Sequence, residues 1–540
     1  MEFINSYAKL PEHFYERISP ETAPEPELFL WNRALAAELR IPEEWAQDRD
    51  RLARIFAGNE SLPEFESIAL AYAGHQFGGF VPQLGDGRAH LLGEVRDVHG
   101  AGRDIQLKGS GRTRFSRNGD GRCALGPAVR EFIMSEALHY LGVPAARSLA
   151  VVATGEPVRR ENVEPGAVVT RVARSHVRVG TFEYFAAQKN IPALRELLDY
   201  TIARHYPEID REFPATNGAD HANGADHANT ADHAGGEIVS RRALRLLERV
   251  IDKQIELVVQ WMRVGFIHGV MNTDNTALSG ETIDFGPCAM MNRYDPGTVF
   301  SSIDVQGRYA FGNQARIMQW NMARLAESLL TLIDENPENA VRRALPLIQE
   351  IPDRYEPAWA DMLGRKLGIS ETKSGDGELI GALLNHMREN QLDYTNTMDL
   401  LTNIRELACE NANANADADA DANADGDADD SIRAKNLRAR ISEAGLDDWA
   451  ELWKARLAEQ GDTSRDRAEV ARLMRKHNPR IIPRNHHVEA ALEESARSGN
   501  SEAAEKFLTV LRSPYELLER TPEYQDDPGD DSRYRTFCGT

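Results

Sequence analysis

HGVMNTDNTALSGETIDFGP, residues 268–287, is the stretch on which the reading of the fold turns. Asp274 and Asn275 stand a few residues ahead of Asp284, which the pattern places on a short strand. A carboxylate and an amide oxygen brought near a second carboxylate make a hard-oxygen site suited to Mg2+ or Mn2+. Such a metal bridges nucleotide phosphates and neutralises the charge that develops as they are transferred. Each short motif alone also fits a polar turn between two elements. Their order adds weight, because Asp-Phe-Gly follows a His-x6-Asn segment.

Upstream, residues 89–108 read as two strands: AHLLGEVRDV alternates, HGAG turns and RDIQLKG returns. A glycine-rich loop follows from Gly109 to Arg122, and Pro127 then opens an amphipathic helix, PAVREFIMSEALHYLG. Lys108 ends the second strand, and Glu131 lies 23 residues further on, inside that helix. A strand lysine paired with a helix glutamate is how kinase-like folds hold a lysine against phosphate oxygens. A surface lysine and a solvated helix carboxylate are the plainer reading of any such pair. Only ten of the 63 basic residues are lysines, so Lys108 stands out.

An ordinary protein kinase is disfavoured. Its catalytic-loop Asp lies five positions before the metal-binding Asn, where this chain has Val270. Gly85-Asp86-Gly87-Arg88 and the stretch from Gly109 to Arg122 are candidates for covering phosphates, but neither reads GxGxxG. Arg88, Arg112, Arg114, Arg117, Arg122, Arg171, Arg174 and Arg178 crowd the same region. Arginine forks bind phosphate oxygens bidentately, although some of these arginines are simple surface charge in an Arg-biased chain.

The whole composition sets the limits. A chain of 540 residues holds several structural units, and 41% hydrophobic residues suffice for a globular interior. A formal net charge of −22 disfavours DNA or RNA as partners. Cys123, Cys288, Cys409 and Cys538 form no CxxC pair, which argues against structural zinc and for a reducing, cytoplasmic setting. No signal peptide, transit peptide or membrane span is expected.

The expected fold class is α+β, a strand-rich lobe followed by a helical one, with mainly helical extensions at both ends. Residues 1–60 form the first extension, 61–180 the strand-rich lobe and 181–409 the helical lobe. SLAVVATG and GAVVTRVA add strands to the first lobe, and a long helix runs from about Ile238 to Val264. Residues 214–236 repeat the hexad GADHAN; its spaced histidines suit metal binding, but a slipped repeat forming a disordered insertion is the favoured reading. Residues 410–431 are an acidic low-complexity linker that cannot bury a core, and 432–540 form the helical C-terminal extension.

Together these strings resemble the selenoprotein O, or YdiU-like, family. The resemblance rests on AYAGHQFGGFVPQLGDGRA, RDIQLKGSGRTRFSRNGDGR, ALGPAVREFIMSEALHYLGVP, RVARSHVRVGTFEYF, HGVMNTDN and IDFGP, and further on QGRYAFGNQ, HNPRIIPRN and LRSPYE. It implies a protein-kinase-like (pseudokinase) bilobal fold that binds ATP in a flipped orientation. The activity it implies is transfer of AMP to hydroxyl side chains of protein substrates, with release of pyrophosphate. It further implies that Gly85, Gly87 and Arg88 contact nucleotide, and that Lys108, paired with Glu131, reaches phosphate. Asp120 and Gly121 would touch the flipped nucleotide, and Arg171 and Arg178 would bind phosphates. Asp274 would be the acceptor base, with Asn275 and Asp284 holding Mg2+ or Mn2+. Cys538, third from the end, matches a cysteine or selenocysteine of some members and suggests redox control; an inert tail thiol is the equal alternative. TALSGE after Asn275, and Cys123 and Cys288, depart from the family pattern without replacing a residue assigned a role.

Two other functions compete. An atypical phosphotransferase is opposed by Val270, and a non-catalytic nucleotide-binding scaffold has no need of Lys108, Glu131, Asp274, Asn275 and Asp284 together. UMP transfer from UTP is a variant of the first reading.

Overall fold

Alternation of apolar side chains builds the strand-rich first part of the chain. In the computed structural model, which describes residues 3–160, 162–214, 228–416, 426–461, 463–529, 531 and 533–537, the chain begins with β1 (Phe3–Ile4), β2 (Tyr15–Arg17) and β3 (Glu27–Trp31). Three helices follow: α1 (Arg33–Glu38), α2 (Glu43–Gln47) and α3 (Arg49–Ala57). Next come β4 (Ile68–Leu70), a small hairpin of β5 (Gly74–Gln76) and β6 (Gly79–Val81), β7 (Ala89–Arg96), β8 (Gly102–Lys108) and β9 (Cys123–Ala124). Helix α4 (Leu125–Tyr140) separates these from β10 (Arg147–Arg159) and β11 (Val163–Ala173). The main sheet is antiparallel, in the order β2-β4-β7-β8-β11-β10-β3, with β1 on β7 and β9 on β11.

Successive strand residues point to opposite faces. Val151 and Val169 thus join Val129, Phe132 and Ile133 of α4 in one core. Their neighbours Val152 and Val168 join Leu52, Ile55 and Phe56 of α3 in a second core on the other face. The expected hairpin of residues 89–108 is β7–β8, closed where the Asp97 carboxylate accepts from the backbone N–H of His99 and Ala101, each at 2.9 Å. Helix α4 starts two residues before Pro127, which sits in the first turn, where its missing N–H costs nothing.

The N-terminal segment differs from its expected helical character. It carries three strands as well as α1–α3, and β3 pairs with β10 more than a hundred residues away, through Ala150↔Trp31 and Val151↔Leu30. A local pattern cannot show so distant a pairing.

The rest is largely helical: α5 (Val179–Ala187), α6 (Ile191–His205), α7 (Pro207–Glu212) and the long α8 (Ala228–Val264). After the two-residue strands β12 (Phe266–Ile267) and β13 (Ala289–Met290) come α9 (Gln314–Ile333), α10 (Pro337–Gln349), α11 (Ile351–Lys366), α12 (Asp376–Glu389) and α13 (Tyr394–Ala416). The last group is α14 (Gly426–Glu443), α15 (Asp447–Ala458), α16 (Ser464–His477), α17 (Asn485–Ser498) and α18 (Glu502–Leu511). Of the expected insertion 214–236, residues 215–227 lie outside the described residues, and Ala228 already belongs to α8. Of the expected linker 410–431, residues 417–425 lie outside them; the flanks are the ends of α13 and α14, as the high helix propensity of alanine favours. Cys538 also lies outside the described residues. Among those residues no helix is long and apolar enough to cross a membrane.

Helices α17 and α18 pack on α4. There Arg130 donates to Glu489 at 2.8 Å and to the Cys288 carbonyl at 2.6 Å. The final described residues follow the same surface: the Thr536 hydroxyl donates to the Pro287 carbonyl at 2.6 Å.

Candidate functional site

Strand β8 delivers Lys108 between Ala89 of β7 and Val169 of β11. Its Nζ donates to Oε2 of Glu131, on α4, at 2.7 Å and reaches Oδ1 of Asp284 at 3.4 Å. Arg171, on β11, makes an ion pair with Glu131 and reaches the same Asp284 oxygen at 3.3 Å. Two cations thus face two carboxylates in a largely buried cluster. Burial works to raise the Glu131 carboxyl, but Arg171 and Lys108 overcome it and hold the group at about 2. Burial is likewise outweighed at Asp284, where Lys108 and then Arg171 keep the carboxyl well below the usual range.

Asp284 corrects one expectation. It lies on no strand; its backbone is left-handed, with φ 63°. An Asp side chain tolerates that region better than most, and such strained positions cluster at functional sites. Arg171 also differs in its commitments, since Glu131 holds it in place beside the position where phosphates were expected.

The segment 268–275 is fixed from several sides. The His268 ring meets the Ile283 carbonyl at 3.0 Å, and Asn275 Nδ2 donates to the Val270 carbonyl at 3.1 Å, which turns the Asn275 amide oxygen the other way. Arg178 stacks on the Tyr72 ring at 4.2 Å and donates to the backbone carbonyl of Asp274 at 3.0 Å. It therefore positions the loop. The Asp274 side chain is buried; Oδ2 accepts from Gln76 Nε2 at 3.2 Å, and Oδ1 has no hydrogen-bond partner. Burial pushes its carboxyl up to about 7, against the pull of Gln76 and Arg178.

The glycine positions have packing reasons. Gly85 has φ 68°, and a Cβ there would collide with the Phe115 ring; a Cβ on Gly87 would lie 2.8 Å from the Phe115 carbonyl oxygen. The loop carrying Phe115 is thereby seated on residues 85–87, and the Ser116 hydroxyl donates to the Gly87 carbonyl at 2.5 Å. Gly121, φ 74°, lies against Gly111, whose N–H donates to its carbonyl at 3.1 Å. Asp120 is paired with Arg160 at 2.7 Å and accepts from the Arg122 N–H at 2.9 Å.

One cavity of about 540 Å3 gathers this machinery, a volume suited to a nucleotide-sized ligand. Gly85, Gly87, Arg88, Lys108, Asp120, Gly121, Arg171, Arg178, Asp274, Asn275 and Asp284 all line it. Glu131 does not; it stands behind Lys108 and Arg171 and holds both. Residue patterns missed Tyr72, Gln76 and Phe77, which line the same cavity. They belong to a string quoted for the resemblance, but no spacing rule marks them. The ionised Asp284 carboxylate and the amide oxygen of Asn275 are hard-oxygen donors on the wall of this cavity, of the kind that Mg2+ or Mn2+ takes.

Comparison with known proteins places the sequence beside a family and its relatives. The family model described as protein adenylyltransferase SelO matches residues 1–512. The chain is 46% identical over 541 residues to the protein nucleotidyltransferase YdiU of Teredinibacter turnerae, covering 100% of both chains. It is 45% identical to that of Geobacillus kaustophilus, covering 100% of this chain and 99% of the relative, and 44% identical to that of Pseudoalteromonas translucida, covering 100% of both.

Proposed function

Since the chain belongs to the SelO family of protein adenylyltransferases and is a nucleotidyltransferase, we propose that it transfers AMP from ATP to Ser, Thr or Tyr hydroxyls of protein substrates, releasing pyrophosphate. The observation that carries this reading is the joining of Lys108, Arg171 and Asp284 to Asp274 and Asn275 in one cavity. A strand lysine held by a helix glutamate, followed by the 268–275 segment and Asp284-Phe285-Gly286, supports a kinase-like lobe arrangement.

The acceptor oxygen attacks the α-phosphorus, the bond from that phosphorus to the bridging oxygen breaks, and pyrophosphate leaves. Asp274 takes the hydroxyl proton; a carboxyl raised by burial is a stronger base than an exposed one. Lys108, with Arg171 beside it, stabilises charge on the leaving phosphates, while Glu131 keeps both cations in place. Arg178 holds the backbone carbonyl of Asp274 and so fixes this residue at the cavity wall. Asn275 and Asp284 would hold Mg2+ or Mn2+, which would supply further neutralisation of phosphate charge. Gly85, Gly87 and Gly121 shape the wall, and Arg88 and Asp120 flank it. The free, buried thiols of Cys123 and Cys288 suit a reducing cytoplasm.

The test is purified protein with Mg2+ or Mn2+ and ATP labelled separately at the α- and γ-phosphates, followed by intact mass. Label from the α-position alone, with a gain of one AMP, is expected. Label from the γ-position overturns the reading in favour of phosphoryl transfer.

A further inference from the structure

The β5–β6 hairpin stands outside the main sheet and is tied to the segment that carries Asp274. His75 N–H donates to the Thr273 hydroxyl oxygen at 2.6 Å, Phe77 N–H to Asn272 Oδ1 at 3.1 Å and Gln76 Nε2 to Asp274 Oδ2 at 3.2 Å. Behind these bonds the buried Glu183 of α5 meets the His75 ring at 2.5 Å with one oxygen and accepts the Thr273 hydroxyl with the other. Gly74 lies so close to Asp274 that a Cβ there would sit 2.5 Å from its Oδ1. The base of the hairpin is therefore rigidly placed with respect to the catalytic carboxylate.

Its outer part is of opposite character. Phe77 and Phe80 are 39% and 41% exposed. Phe77 is held at φ 51°, a left-handed conformation costly for an aromatic residue. It shares the cavity wall with Asp274 and with Ile303, itself 49% exposed. A strained, outward-facing apolar rim beside a catalytic group marks a binding surface. The cationic cluster contacts Asp284, whereas the hairpin contacts Asp274, the group that must meet the acceptor hydroxyl. An acceptor polypeptide that brings a hydroxyl to Asp274 has to cross the residues beside Gln76.

We propose that the β5–β6 hairpin is the docking element for the acceptor protein, with Phe77 and Phe80 taking up a large apolar side chain next to the hydroxyl that is modified. This rests on the protein-transfer reading above. The partner is thus a segment in which Ser, Thr or Tyr is flanked by Leu, Phe or Met.

The experiment measures fluorescence polarisation of two labelled peptide pools with no nucleotide present, so docking is read without transfer. Both pools have a central Ser, Thr or Tyr, flanked in one by Leu, Phe or Met and in the other by Asp or Glu. The wild-type protein should favour the apolar pool by at least about tenfold, as burial of one large apolar group supplies. The variant Phe80→Ser, whose ring is not part of the nucleotide cavity wall, should lose that preference while its ATP affinity stays within about twofold. Independently of any variant, apolar-pool peptides carrying a photoreactive leucine analogue should crosslink to residues 74–81 of the wild-type chain. Equal binding of the two pools, an unchanged preference in the Phe80→Ser variant, or adducts only elsewhere overturns the proposal. Loss of ATP affinity in the Phe80→Ser variant reassigns that ring to the nucleotide and overturns it as well. Absence of AMP transfer in the labelled-ATP assay tests the other reading and leaves the docking result intact.

Discussion

Asp284 combines a left-handed backbone with a carboxylate that both Lys108 and Arg171 reach. Asp284→Ala should abolish metal-dependent transfer of α-label while the protein remains folded; full activity with normal metal dependence would refute the site assignment. Asn tolerates positive φ better than Ala, so Asp284→Asn should also lose transfer yet exceed Asp284→Ala in stability to urea by about 1 kcal/mol. At Gly85 the demand is steric: Gly85→Ala forces a methyl into the Phe115 ring from a positive φ. It should cost about 1–3 kcal/mol in the same measurement and weaken ATP binding. At this scale the sequence was readable where chemistry and order coincide. Lys108 and Glu131 meet as expected, because a strand end and a helix interior leave few ways to place them. The commitment of Arg171 to Glu131, the contact of Lys108 with Asp284 and the contact of Gln76 with Asp274 join residues 40, 176 and 198 positions apart. No local pattern encodes them.

Elements were legible according to how local their cause is. The hairpin β7–β8 carries its turn in its own residues, and α4 carries its apolar stripe and its first-turn proline. By contrast β3 is five residues long and exists because β10 offers it an edge. Helices also meet at places that no stripe announces. Lys366, at the end of α11, is wholly buried, donates to the carbonyl of Arg263 in the last turn of α8 at 2.8 Å and lies 3.5 Å from that of His477 at the end of α16. A cation at helix C-termini is favourable, but burial and then Arg263 draw its pKa well below the usual lysine value. The unfolded chain therefore binds this proton more readily than the folded one. Stability contributed through Lys366 is lost as pH falls from the unfolded lysine value, about 10.4, toward the lower folded value. Urea denaturation at about pH 7 and about pH 9.5 should show wild type gaining on Lys366→Met at the higher pH. A constant difference between them would refute the lowered pKa of Lys366.

The whole molecule is organised around α4. One buried cluster runs from Tyr7 through the sheet face and α4 to Leu511 of α18, while α1–α3 close the opposite face with their own core. A chain ending at residue 431 would expose the surface of α4 that α17 and α18 cover and would strand Arg130 without Glu489. Such a chain should fail to bind ATP and should aggregate, whereas the full chain should melt with the sheet and the C-terminal helices in one calorimetric transition. Two well-separated transitions, or a truncated chain that binds nucleotide normally, would show the two parts to be independent. The outline of a strand-rich part followed by helices was legible from periodicity. The dependence of the first part on the last was not, because it lies in the far side of one helix. That helix turns Glu131 toward Lys108 and Arg130 toward Glu489 and Tyr534. In a cell, then, proteolytic loss of the C-terminal helices should release no uncontrolled transferase fragment: the cut that removes α17 and α18 should also disarm what remains.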